Sequence, residues 1–137
     1  MHCYCHCTSC QRHSGDYIRA SLIWNNASSD SGEGEDPSFG EELQVLEGKE
    51  LLSRKHCIFP EKESNRYFCS RCGTPCLVTV GKYVTASPVI FPDVDFKPTL
   101  HLYCSHSKKN LVGVMKDGLP KYADIPAEFG GSGELVE

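Results

Sequence analysis

The stretch Cys3-Tyr4-Cys5-His6-Cys7-Thr8-Ser9-Cys10 decides how this chain is read, because it packs four thiols into eight residues at overlapping C-x-C, C-x-C and C-x-x-C spacings. Thiolates that close repel one another unless a cation neutralises them, so a bound metal is the economical explanation. Three ligands from one short loop leave a fourth position free. An open site of that kind acts as a Lewis acid or binds a thiol, whereas a closed four-ligand site is structural.

A second signal is Phe68-Cys69-Ser70-Arg71-Cys72-Gly73-Thr74, a C-x-x-C-G. Two intervening residues let a tight turn aim both sulfurs at one tetrahedral metal, and Gly73 can adopt the positive φ that turns backbone N–H groups toward them. A redox C-x-x-C would normally open a helix, and Gly73-Thr74-Pro75 argues against one. On spacing alone, Cys7 and Cys10 could join Cys69 and Cys72 in one closed Cys₄ site, or Cys5, Cys7 and Cys10 could form an open site of their own. Zinc is the expected metal in either case.

Working outward, residues 1–15 read as a ligand-bearing loop closed by a turn at Ser14-Gly15. The run from Asp16 to Asn25 reads as a half-buried strand. Ser28 to Glu42 is acidic, rich in Ser and Gly and nearly free of apolar residues, so a mobile surface loop is expected. Short strands are expected around Leu43–Leu46, Leu51–Ser53 and Lys55–Phe59. Another pair should flank Gly81-Lys82, and one more should run from Thr99 to Cys104. With 12 Gly and 8 Pro the chain favours turns over long helices, and the expected class is mainly β. A chain of 137 residues fits one domain, expected over residues 1–125, with a flexible tail over 126–137.

Nine cysteines is an odd count, and bunched thiols read as ligands before disulfides. The segment after Met1 does not resemble a secretory signal, and no run approaches the ~20 apolar residues of a membrane span, so a cytoplasmic protein away from membranes is expected. A net charge of −4 with only Lys108 and Lys109 adjacent leaves no footprint for nucleic acid.

The string Cys5-His6-Cys7-Thr8-Ser9-Cys10-Gln11-Arg12-His13-Ser14-Gly15 resembles the C-H-C-x-x-C-[RQ]-[RK]-x-[ST]-G signature of the glutathione-dependent formaldehyde-activating family, which includes centromere protein V-like proteins. Tyr67 through Pro75 resembles that family's F-C-x-x-C-G-[ST]-P. Pro98 through His101 and Asp117 through Tyr122 resemble its P-x-x-H-[IL] and D-G-L-P-[RK]-[FY]. The resemblance runs over roughly residues 3 to 123.

This resemblance implies a β-tent fold of short antiparallel sheets around two zinc-thiolate sites. It implies that Cys5, Cys7 and Cys10 hold the catalytic zinc, and that Cys69 and Cys72 supply half of a structural site. The other half comes in the family from a C-x-C-G ahead of the first motif, a segment this sequence does not contain. Cys3 is the candidate replacement, with Cys57, Cys76 and Cys104 behind it, although each also suits a small buried hydrophobe. The implied activity is that of a carbon–sulfur lyase that joins glutathione to formaldehyde or acts on a related thiol adduct; a non-catalytic zinc module with a protein partner is the alternative. Glutathione is the expected partner molecule, and a homodimer is a further expectation. His6 or His13 is a candidate acid or base, and Arg12 or Lys108 a candidate carboxylate holder.

Overall fold

Alternating apolar and polar residues with a high β-branched content make extended segments, and in this chain they assemble into one sheet. The computed structural model describes residues 1–25, 39, 43–57, 63–108, 111 and 115–136. The expected acidic loop, apart from Phe39, and the end of the expected Lys55–Phe59 strand lie outside the described residues. The elements are β1 (His2–Cys5), α1 (Thr8–Ser14), β2 (Arg19–Asn25), β3 (Leu52–Cys57), β4 (Ser64–Cys69), β5 (Pro75–Val80), β6 (Tyr83–Ala86) and β7 (Leu100–Leu102). The protein is mainly β, as its composition indicates.

The strands form a single seven-stranded sheet in the order β3-β4-β5-β6-β2-β1-β7. Every neighbouring pair is antiparallel except β1 and β7, which run parallel. The β5–β6 hairpin turns at Gly81-Lys82, as its sequence suggests, with Gly81 at φ 53°. The expected strand near Leu43–Leu46 is instead irregular chain.

The amino-terminal segment departs from the expected loop in an instructive way. Its first residues are strand β1, buried between β2 and β7, and its second half is the helical turn α1. The Cys7 sulfur caps that helix by accepting the Cys10 backbone N–H at 3.3 Å, and Gly15 closes it in the left-handed conformation. A cysteine is not among the usual capping residues, so local sequence preference does not announce this helix.

Because side chains alternate along a strand, the register divides the sheet into two faces. The pairs Cys3↔Ser21, Cys5↔Arg19, Ile23↔Thr85, Val78↔Thr85 and Arg66↔Val78 put all these residues on one face. The opposite face carries the apolar core of Phe39, Tyr67, Leu77 and Ala86, with Trp24, Leu52 and Phe91 packed against it. Phe39 meets Tyr67 edge-on at 5.1 Å. The sheet therefore has one apolar face and one face that bears cysteines and arginines.

Residues 121–136 fold back on the sheet. Tyr122 bridges Leu135, the Ala123 N–H donates to Glu134 O at 2.7 Å, and Tyr103 N–H donates to Asp124 O at 2.7 Å. A 3-10 turn at Ala127–Phe129 places Phe129 beside the cysteine-bearing face.

Leu77 is 2% exposed and Leu46 is 87% exposed. Leu77→Ala is expected to lower unfolding free energy by about 2 to 5 kcal/mol, and Leu46→Ala by less than about 0.5 kcal/mol. Denaturant melts of both variants beside the parent protein check this division of the sheet.

Candidate metal centre and its cavity

The C-x-C spacing in β1 sends Cys3 and Cys5 to the same face of the sheet, and the chain then turns so that α1 lays Cys7 and Cys10 over that face. The Sγ atoms of Cys5, Cys7 and Cys10 all lie within 4.8 Å of one another, and the three residues are 5–8% exposed. Sulfurs about 2.3 Å from a tetrahedral zinc stand roughly 3.8 Å apart, so the three need move little to share one ion. Of the two groupings open on spacing, the one formed is Cys5, Cys7 and Cys10; Cys69 and Cys72 are not in it. Cys3 is fully buried and outside the group, with burial pushing its thiol up to about 12.

The protonation of the three thiols is uneven. Hydrogen bonds from Cys5 and Cys7 hold the Cys10 thiol well below its ordinary value, helped by the charges of Arg19 and Arg66. The same hydrogen bonds, with burial, push Cys5 well above the ordinary thiol range and Cys7 up to about 12. Cys10 is therefore the most readily ionised of the three, accepting from two thiols.

Beneath it lie two buried arginines. Arg66, 6% exposed on β4, reaches the Cys10 sulfur with Nη1 at 3.7 Å. Burial works against its charge, but the Cys10 thiolate outweighs this and raises its pKa. Arg19, 4% exposed on β2, has no hydrogen-bond partner among the described residues at Nε, Nη1 or Nη2. Arg66 Nε, Ser64 Oγ and His13 Nε2 are also buried without partners. Burying a cation without a counter-charge is strongly unfavourable. Three thiolates around a zinc dication carry one net negative charge beside these guanidiniums, so the residues present fit the metal in both donor set and charge. Neither arginine stands out in the motif: Arg19 opens β2, and Arg66 follows Ser64 and Asn65 in β4.

A polar chain anchors the metal loop from behind. His6, fully buried, places Nε2 2.9 Å from His101 Nδ1 and Nδ1 3.2 Å from Ser107 Oγ. His101 Nε2 meets Asp117 Oδ2 at 2.7 Å, and Lys121 Nζ donates to Asp117 Oδ1 at 2.8 Å. The Lys121 ammonium, with His101, holds the Asp117 carboxyl well below the usual range. With neutral imidazoles, the carboxylate accepts from His101 Nε2–H, which leaves Nδ1 to accept from His6 Nε2–H. Gln11 Nε2 also donates to the backbone oxygens of His6 at 2.7 Å and His106 at 3.2 Å. The two late motifs, around His101 and Asp117, thus act together on the residue between Cys5 and Cys7.

Cys69 and Cys72 sit on the turn after β4, where Gly73 N–H donates to Cys69 O at 2.7 Å and Cys69 N–H to Thr74 O at 2.9 Å. Gly73 has φ 77°, the left-handed value the C-x-x-C-G turn requires. Cys72 is exposed and stands 3.1 Å from Thr74 Oγ1.

A cavity of about 600 Å³ opens onto Cys5, Cys7 and Cys10. Arg66, Lys82, Tyr103 and Glu128 are among its lining residues. Tyr103 packs against the three cysteines and holds a left-handed φ of 55°, uncommon for a residue with a side chain. His6, His13, Arg12 and Lys108 do not line the cavity. Burial lowers both His6 and His13 to about 4, so both are neutral at physiological pH.

Since the Cys5 and Cys7 thiols are held protonated, zinc uptake by this site should release at least about two protons per chain near pH 7, and apparent affinity should rise with pH below the thiol range. Indicator titration of Cys69→Ser/Cys72→Ser protein isolates this site. Release of no protons would contradict the assigned states.

No helix among the described residues is long and apolar enough to cross a membrane. A comparison with curated proteins gave no match. The model of one protein family, described as glutathione-dependent formaldehyde-activating enzyme, matches residues 1–106. The match contains the three-cysteine cluster, both arginines and the C-x-x-C-G turn, and with well over half of its length matched the chain belongs to the glutathione-dependent formaldehyde-activating enzyme family.

Proposed function

We propose that this protein is a zinc-dependent enzyme of the carbon–sulfur lyase type, joining or cleaving a glutathione–aldehyde adduct at Cys5, Cys7 and Cys10. The observation that carries the reading is the cavity that ends on three buried sulfurs, since a closed structural site has no use for one. When bound, zinc supplies Lewis-acid charge that favours the thiolate form of a thiol and polarises a carbonyl oxygen.

The chain's own residues do the rest. Cys5, Cys7 and Cys10 fix the ion at the cavity floor, while the His6–His101–Asp117 chain and Gln11 hold their loop in register. An incoming thiolate adds a second negative charge, which the buried guanidiniums of Arg19 and Arg66 together match. Tyr103, beside the cysteines, exchanges the proton of the alcohol oxygen; His6 and His13 stay neutral and outside the cavity. Lys82 is the cation that can receive a glutathione carboxylate. Cys69 and Cys72 form part of a second, structural metal site in this reading.

Glutathione added to cobalt-substituted protein should change the metal's visible absorption, because an open site admits a new sulfur; an unchanged spectrum would contradict the proposal. Cys10→Ser should lower the rate of adduct formation about 100-fold or more while the sheet's circular dichroism stays as in the parent. Full activity in that variant would also contradict it.

A further inference from the structure

The cavity is far larger than formaldehyde requires. A molecule of two heavy atoms fills about the space of one or two waters, each taking ~30 Å³. The cavity, at about 600 Å³, has the size that encloses a drug-sized ligand. Its chemistry is also mismatched to glutathione alone, which carries two carboxylates and an ammonium. The walls are mainly apolar: Ile23, Val78, Val80, Leu102, Ile125 and Phe129 surround the route to the sulfurs. Among the described residues, the charged side chains lining it are Arg66, already engaged with Cys10, together with Lys82 and Glu128.

The placement of these apolar residues is not a by-product of the core. Ile23, Val78, Val80 and Leu102 share the cysteine-bearing face with Arg19 and Arg66, away from the apolar cluster of the opposite face. Phe129 is still 39% exposed. Apolar surface that borders a cavity rather than a packed neighbour gains free energy when a ligand covers it.

We infer that the cavity receives an apolar carbon skeleton of aromatic-ring size or larger, carried on the carbon that bears sulfur, so the substrates are thiol adducts of bulky apolar aldehydes. The inference rests on the carbon–sulfur reading above and names its substrate class. In the forward direction a thiol R′S–H adds to R–CHO: the C–S bond forms, the C=O π bond breaks, and the thiol proton ends on the oxygen, giving R–CH(OH)–SR′. Nothing is oxidised or reduced, and the reverse step returns the same two molecules. The apolar R group lies against Val78, Val80 and Phe129 while the polar remainder of the thiol stays toward Lys82 and Glu128.

Two measurements on the zinc-loaded protein test this. Calorimetric titration with 2-phenylethanethiol and with 2-mercaptoethanol compares thiols that differ chiefly in apolar bulk. The phenyl compound should bind about tenfold tighter or more, and Phe129→Ala should narrow that ratio at least threefold. Adduct formation with glutathione should likewise favour phenylacetaldehyde over formaldehyde by tenfold or more. Equal binding of the two thiols, or formaldehyde used as well as phenylacetaldehyde, would overturn the inference and leave the enzyme reading standing. Preferential binding of 2-phenylethanethiol with no reaction of either aldehyde would uphold the cavity's ligand class and overturn the carbon–sulfur chemistry.

Discussion

The contact between Cys10 and Arg66 is the interaction around which this protein is organised. A guanidinium on β4 and a sulfur on α1 meet at 3.7 Å across 56 residues of sequence, where the cavity meets the sheet. In a low-dielectric interior the attraction between the two groups offsets much of what burying each charge costs. The contact ties α1 to the sheet, adds to a depression of the Cys10 thiol caused chiefly by hydrogen bonds from Cys5 and Cys7, and forms part of the cavity lining. The donors of Arg19 find no hydrogen-bond partner among the described residues. A zinc ion held by the ionised sulfurs of Cys5, Cys7 and Cys10 would place one net negative charge beside the two guanidiniums.

The sheet serves this arrangement by keeping its two faces chemically separate. One face buries Leu77, Ala86 and Tyr67 and supplies ordinary hydrophobic stability. The other gives up that contribution in order to hold cations, cysteines and open space. Proteins commonly sacrifice local stability at functional sites. The parallel pairing of β1 with β7 connects the two ends of the chain, and through it His101 and Asp117 reach the metal loop.

Much of this was legible in the sequence, for physical reasons that differ by element. Spacing alone limited the ligand geometry of Cys5, Cys7 and Cys10, since a short loop has few ways to aim three sulfurs. Gly73 announced its left-handed turn, and Gly81-Lys82 announced the β5–β6 hairpin, because local backbone preference decides both. The helix α1 was hidden: its cap is a cysteine sulfur, and the residues that stabilise it, Arg66 and His106, come from distant parts of the chain. The roles of Arg19 and Arg66 were hidden for the same reason. A single arginine in a strand reads as a solvated surface residue until the register shows that it faces inward beside a thiolate. His101 and Asp117 could be seen as parts of a motif, but their hydrogen bond could not, because it depends on where β7 docks.

The most direct test is the zinc affinity of Arg66→Met compared with Arg66→Lys, measured by chelator competition. Methionine keeps the apolar stem and removes the charge, whereas lysine keeps a charge without the guanidinium fork. The account predicts that Arg66→Met weakens zinc binding about tenfold or more and that Arg66→Lys retains most of it. Binding by Arg66→Met as tight as in the parent protein would contradict the claim that the buried guanidinium balances a metal–thiolate centre.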